Sequence, residues 1–228
     1  MKIYSRRMVL PNAHGGVRVQ PACIEVRGDR IVAVHTQADP FDEELAPDVQ
    51  HLGDRVVTAA LVNAHTHLAL SSFRGMGQND RMRSNVVEEF YYAVESRMDA
   101  GDAKAFTRMG AYESLLAGVG TVWDHYYHAL AVAQGIADVG LTAVVAPTLQ
   151  DRAGPGVNQL EAQLAATETL ASSARWADLG ITAAYGCHAT DTVSDDLWRQ
   201  VGNLRIKHGL PIHAHLAQSL EESERSFD

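Results

Sequence analysis

The sequence predicts an α/β protein built as a parallel (β/α)8 TIM-type barrel, of which it carries about the first five βα units behind a short β-rich entry segment. Three observations lead there. Apolar, strand-like runs alternate with helical segments that stop at glycine. Polar residues, most of them histidine, fall at the C-terminal ends of those runs. The 228 residues are too few for the whole barrel, which takes about 250 without any entry segment.

Residues 1–56 read as short strands, MKIYSRRMVL and IEVRGDRIVAV, with Gly28-Asp29 as a hairpin turn between alternating apolar residues. Pro40, Phe41, Asp42, Glu43 and Glu44 form a polar, helix-breaking stretch. Apolar runs follow at 56–62, 120–127, 141–149, 181–188 and 210–217. Between them, helical spacing covers Asp102 to Leu116, His128 to Val139, Asn158 to Leu179 and Ser194 to His208. Gly118, Gly140, Gly180 and Gly209 stop these helices. A further helix is expected around Val86 to Arg97, inside the long connection after the first run.

The same rhythm would suit a doubly wound sheet, but that fold wants a glycine-rich phosphate loop after its first strand. Here Asn63-Ala64-His65-Thr66-His67 occupies that place. In a barrel, His67, His125, Gln150, His188 and His215 converge on one mouth. The expected organisation is an entry domain over 1–56 and an incomplete barrel over 57–228, either part of a longer enzyme or a half-barrel completed by a partner chain.

Composition narrows the function. A hydrophobic fraction of 46% with 21% charged residues is that of a globular chain. A net charge of −9 argues against nucleic acid or an anionic membrane as the main partner. No apolar run reaches the length of a membrane span, and the N-terminus lacks a signal-like apolar stretch, so the expected location is the cytoplasm. Cys23 and Cys187 have no C-x-x-C spacing, which leaves neither a disulfide framework nor a thiolate metal site. Histidine is the enriched residue, with 11 copies.

His65 and His67 stand at i and i+2 at a strand end, so both imidazoles project from one face and can meet one divalent ion. His213 and His215 repeat the pattern on the fifth run. His215 should reach the mouth, and His213, one layer lower, is better placed to orient than to ligate. Either pair alone is weak, but two pairs ending strands of one barrel point to a metal centre.

LVNAHTHLALSSFRGMG, ESLLAGVGTVWD, GCHATDTVSDDL and LPIHAHLAQSLEE, in this order, resemble the amidohydrolase superfamily, in its deaminase and chlorohydrolase branch. That branch holds guanine and S-adenosylhomocysteine deaminases and the triazine hydrolases. The resemblance implies that the entry strands belong to a small β-sandwich. It makes His65, His67 and His215 the ligands of one divalent metal, zinc in the first place and iron as the alternative, and His188 a substrate contact. The implied activity is hydrolysis of a non-peptide carbon–nitrogen bond: metal-bound hydroxide attacks an sp² carbon of a cyclic amidine, such as a purine or pterin. The partner is then a small heterocycle, and a homo-oligomer is compatible with it.

The sequence departs from that pattern at one point it contains. The glutamate expected three residues after the fifth-strand histidine is Gln218, which can hydrogen-bond but cannot shuttle a proton near neutral pH. The strand-six histidine and strand-eight aspartate of such enzymes fall outside the sequence. Displacement of chloride or an amine from a triazine-like ring, which asks less of a proton shuttle, is therefore the second reading. A fold-retaining chain without catalysis is the third. Gln78 and Arg74 are possible substrate contacts by position. Glu221 and Glu222 read as a solvated helix N-terminus. Asp124 is either an outer support of the metal site or a bonded barrel-layer residue, and His125 and His128 are expected to line the mouth.

Overall fold

The computed structural model describes residues 1–36, 48–76 and 85–227; the polar stretch at 40–44 and Gln78 lie outside them. The chain divides into two compact units, Met1–Ala60 and Leu61–Asp228. In the first, strands β1 (Lys2–Pro11), β2 (Val17–Arg27), β3 (Arg30–His35), β4 (Val49–His51) and β5 (Val56–Val57) form one sheet. Its order is β3-β2-β1-β4, with β5 also on β1. The expected turn is present: Arg27 pairs with Arg30 across Gly28-Asp29. Tyr4, Cys23 and Val49 make the small core.

The second unit is a parallel sheet in the order β10-β8-β7-β6, with β9 also on β8. Its strands are β6 (Leu61–Thr66), β7 (Val119–Tyr126), β8 (Thr142–Leu149), β9 (Ile181–Ala183) and β10 (Gly186–Cys187). β9 and β10 are two pieces of the predicted fourth strand. The fifth pairs through three backbone bonds: Tyr185 N–H donates to Pro211 O at 2.9 Å, His213 N–H to Tyr185 O at 2.8 Å, and His215 N–H to His188 O at 2.9 Å. These fix the height at which His215 leaves the sheet.

One predicted strand is split. Val56 and Val57 pair with Arg7 and Met8 of β1, respectively, so the first barrel strand begins at Leu61. Helices α1 (Tyr92–Glu95), α2 (Ala100–Leu116), α3 (Ala129–Val139), α4 (Leu160–Ser172), α5 (Ala174–Asp178), α6 (Asp195–His208) and α7 (Leu220–Phe227) fill the connections. α2 starts in a capping box between Asp99 and Asp102. α6 ends at Gly209, whose φ of +70° is a left-handed stop that a side chain would strain. The helix predicted over 158–179 breaks at Ser173, where an extended backbone (φ −87°, ψ 118°) separates α4 from α5. The expected helix around 86–97 is a wide π-type turn, Val87–Tyr91, running into α1. Val122, Val132, Ile136, Leu141, Val145 and Ile181 lie in the core between sheet and helices. No helix among the described residues is long and apolar enough to cross a membrane.

Candidate metal centre and active site

The end of β6 is fixed from two sides. A Cβ on Gly110 would meet the Leu68 carbonyl at 2.6 Å, so only glycine lets α2 approach the turn just after His67. The buried Asp124 carboxylate of β7 accepts the Leu68 N–H at 2.7 Å. The strand periodicity then brings His65 and His67 to His215: one ligand atom from each lies within 4.8 Å of the others.

Each imidazole is aimed through its other nitrogen. His67 Nδ1 lies 2.5 Å from the His125 carbonyl, and His215 Nδ1 lies 2.8 Å from the His188 carbonyl. A carbonyl only accepts, so each Nδ1 carries the proton and donates, which leaves Nε2 bare. The two bare Nε2 atoms face each other at 3.1 Å. Two lone pairs at that distance repel unless a cation or a shared proton lies between them, and the donor set of three imidazoles suits a divalent metal. His65 Nδ1 meets His213 Nε2 at 2.8 Å, the orienting arrangement expected of His213.

Burial keeps these rings neutral. It pushes His67 down to about 4, His213 to about 4 and His188 to about 3, and it also lowers His65 and His215. Neutral imidazole is the form that ligates.

His67, His125, His188, His215 and Gln218 line a cleft together with Tyr91, Tyr92, Glu95, Tyr126 and Tyr127. His188 is not the cap of the following helix: Ser194 Oγ accepts the Leu197 N–H at 3.2 Å, and His188 Nδ1 pairs with Thr192 Oγ1 at 2.8 Å. His125 is buried with neither ring nitrogen partnered. Three expectations need correction. His128 bonds the Met98 carbonyl at 3.1 Å and does not line the cleft. Gln150 lies beneath the wall rather than at the mouth, accepting from Tyr127 Oη at 3.0 Å and Gly156 N at 2.9 Å. Arg74 pairs with Glu113, 2.6 Å between Nη2 and Oε2, away from the cleft.

Glu222 departs furthest from its reading. It is 4% exposed, not solvated, and its carboxylate accepts from Thr190 Oγ1 at 2.7 Å and Ala217 N at 3.2 Å, and from Gln218 N. Burial pushes this carboxyl up, but those bonds outweigh it and hold it below its usual value. Glu95 was not anticipated: burial raises its carboxyl to about 7 beside Tyr126. Its only signal in the sequence is an acid directly after the apolar stretch Phe90-Tyr91-Tyr92-Ala93-Val94.

Residues 56–227 match the model of the amidohydrolase family. This chain belongs to that family. It is 33% identical over 175 residues to a 5-methylthioadenosine/S-adenosylhomocysteine deaminase of Symbiobacterium thermophilum, covering 75% of this chain and 39% of that protein. Among solved structures, a zinc-bound adenosine deaminase from Xanthomonas campestris superposes with a TM-score of 0.76 at 22% identity, covering 99% of this chain and 51% of that one. A triazine hydrolase from Arthobacter aurescens gives 0.76 at 16% identity, covering 99% and 55%. The chain spans half or less of the length of the curated relatives named or matched alongside them, and its sheets and helices match the first half of amidohydrolase barrels.

Proposed function

We propose that this chain contributes the His65, His67 and His215 ligands of one divalent metal, zinc or alternatively iron, to a cytoplasmic hydrolase that removes an amino group from a cyclic amidine such as a purine or pterin. The observation that carries the reading is the pair of bare Nε2 atoms of His67 and His215, 3.1 Å apart, each bare because its Nδ1 is committed to a carbonyl. A metal ion bound there acidifies water and polarises the carbon–nitrogen bond.

The remaining residues bind and orient. Tyr91, Tyr92 and Tyr126 give the cleft aromatic walls suited to a flat ring. His188 presents its remaining ring nitrogen to the ring edge. Gln218 offers one donor and one acceptor, which can read an adjacent ring nitrogen and amino group but cannot move a proton. Glu95 stays protonated up to about pH 7 and can donate to a polar substituent. The deaminase relatives point the same way.

The amide at 218 favours a second reading, displacement of chloride or an amine from a triazine-like ring, in keeping with the fold shared with a triazine hydrolase. The experiment is metal analysis of the full-length protein, followed by assay on purines, pterins and chlorotriazines. Release of ammonia from purines or pterins at about one metal per chain is expected. Chloride release alone selects the second reading. Full metal loading with no turnover on any ring leaves a non-catalytic member of the family, and less than about half an equivalent of metal removes the three-ligand assignment.

A further inference from the structure

α7 follows the fifth strand directly, and its start has a familiar spacing, Ser219-Leu220-Glu221-Glu222. In a capping box the serine takes the amide three residues on, and the glutamate reaches back to the serine's own amide. The first half is present: the Glu222 N–H donates to Ser219 Oγ at 3.0 Å. The second half is displaced, because the carboxylate reaches past Ser219 to the amides of Ala217 and Gln218. Ala217 has a φ of +55°, a left-handed conformation that strains a residue with a side chain. Charge-assisted bonds to a buried carboxylate are what can hold such a turn.

The same carboxylate takes the hydroxyl of Thr190 at 2.7 Å, two residues beyond His188. Ser226 stands beside this contact: its Oγ is 2.7 Å from Thr190 Oγ1 and donates its one proton to the Glu222 carbonyl at 2.8 Å. Glu222 thus ties the loop that carries His188 to the turn that carries Gln218, both of which line the cleft.

We propose that Glu222 is a positioning residue of the cleft: its carboxylate clamps the turn at 216–219 to Thr190 and so holds Gln218 beside His188 in the orientation that meets the substrate ring. The ring-facing role of Gln218 rests on the reading above; the clamp is argued from the bonds alone. Glu222→Gln is the sharpest variant, because an amide keeps one acceptor but turns a donor toward one of the clamped amides. Glu222→Ala removes the clamp outright. Arg225→Ala is the control on the same helix, since Arg225 ties Asp191 and Glu88 and leaves Glu222 in place.

The test is site-resolved amide exchange on the full-length protein, with metal content, kcat and KM measured alongside. The amides of Ala217 and Gln218 should exchange about tenfold faster or more in Glu222→Ala and Glu222→Gln, the rest of the fifth strand and the Arg225→Ala protein staying as they were. Metal content should hold. kcat/KM should fall, with no further fall when Glu222→Gln is added to Gln218→Ala. Unchanged exchange at 217 and 218 overturns the proposal. So does exchange accelerated alike through α7 and the fifth strand, or an additive double variant, since either marks a general stabilising role. If Glu222→Ala does not fold, Glu222→Gln decides. A protein that hydrolyses no ring would sink the preceding reading, and the exchange pattern would still decide the clamp.

Discussion

His67 directly follows the last residue of β6 and His125 is the last but one of the neighbouring β7, yet the two are built differently. His67 has its Nδ1 on a carbonyl and its Nε2 aimed at His215. His125 has both ring nitrogens buried without a partner, although its ring centroid is only 4.9 Å from that of His215. Proximity to the centre therefore does not make a ligand. What distinguishes the rings proposed as ligands is that a backbone carbonyl fixes the tautomer and direction of His67 and His215, and that His65 is held in place by the ring of His213.

The largest effect that could break this comparison is at the ligands themselves. His215→Ala should reduce metal in the full-length protein from about one equivalent to a small fraction, measured by metal analysis after dialysis; retention of a full equivalent would place the metal elsewhere. His213→Ala should act at one remove. It leaves all three ligands but frees the His65 ring, so metal affinity should fall by about 10–100-fold, read by competition with a chelator. An unchanged affinity would mean that the 2.8 Å contact between His65 and His213 directs nothing. His125→Leu sits at the other end of the scale. It should leave metal content unchanged, and by removing two unpartnered polar atoms should raise stability by about 1 kcal/mol, seen as a higher melting temperature. Loss of metal in this variant would erase the distinction drawn between the two histidines.

Much of the site follows from local rules. Two residues of strand spacing put His65 and His67 on one face, and an alternation of apolar runs with glycine-stopped helices fixes which strand ends meet. The fold follows from the same pattern, except where a run of valines serves two sheets, as at Val56–Val57 and Leu61. What local pattern does not carry is the destination of a polar side chain after the chain has turned back. Glu221 and Glu222 are adjacent acids at a helix start, and only the return of Thr190 and the left-handed turn at Ala217 buries the second of them. Gln150 ends a strand as a mouth residue would, but the loop at Gly156 closes over it. Glu95 reaches the cleft through a wide turn whose irregular geometry has no period to read.

Asp124 offers the most diagnostic effect, because it is read as a slope against pH. One carboxylate oxygen accepts the Leu68 N–H and the other is buried without a partner. Burial raises its carboxyl from 3.8 to about 7. Between those values the folded protein keeps a proton that the unfolded chain has lost, so the contribution present below pH 3.8 is lost progressively as pH rises and is gone above about 7. Asp124→Asn keeps an acceptor for Leu68 and carries no charge. Its melting temperature relative to the parent should therefore climb from pH 4 to pH 7 and then level off, the buried histidines cancelling because both proteins share them. If the difference instead stayed flat across that window, a partner for the second oxygen would exist in solution. Asp124 would then belong with His67, as a group fixed on both sides, and not with His125.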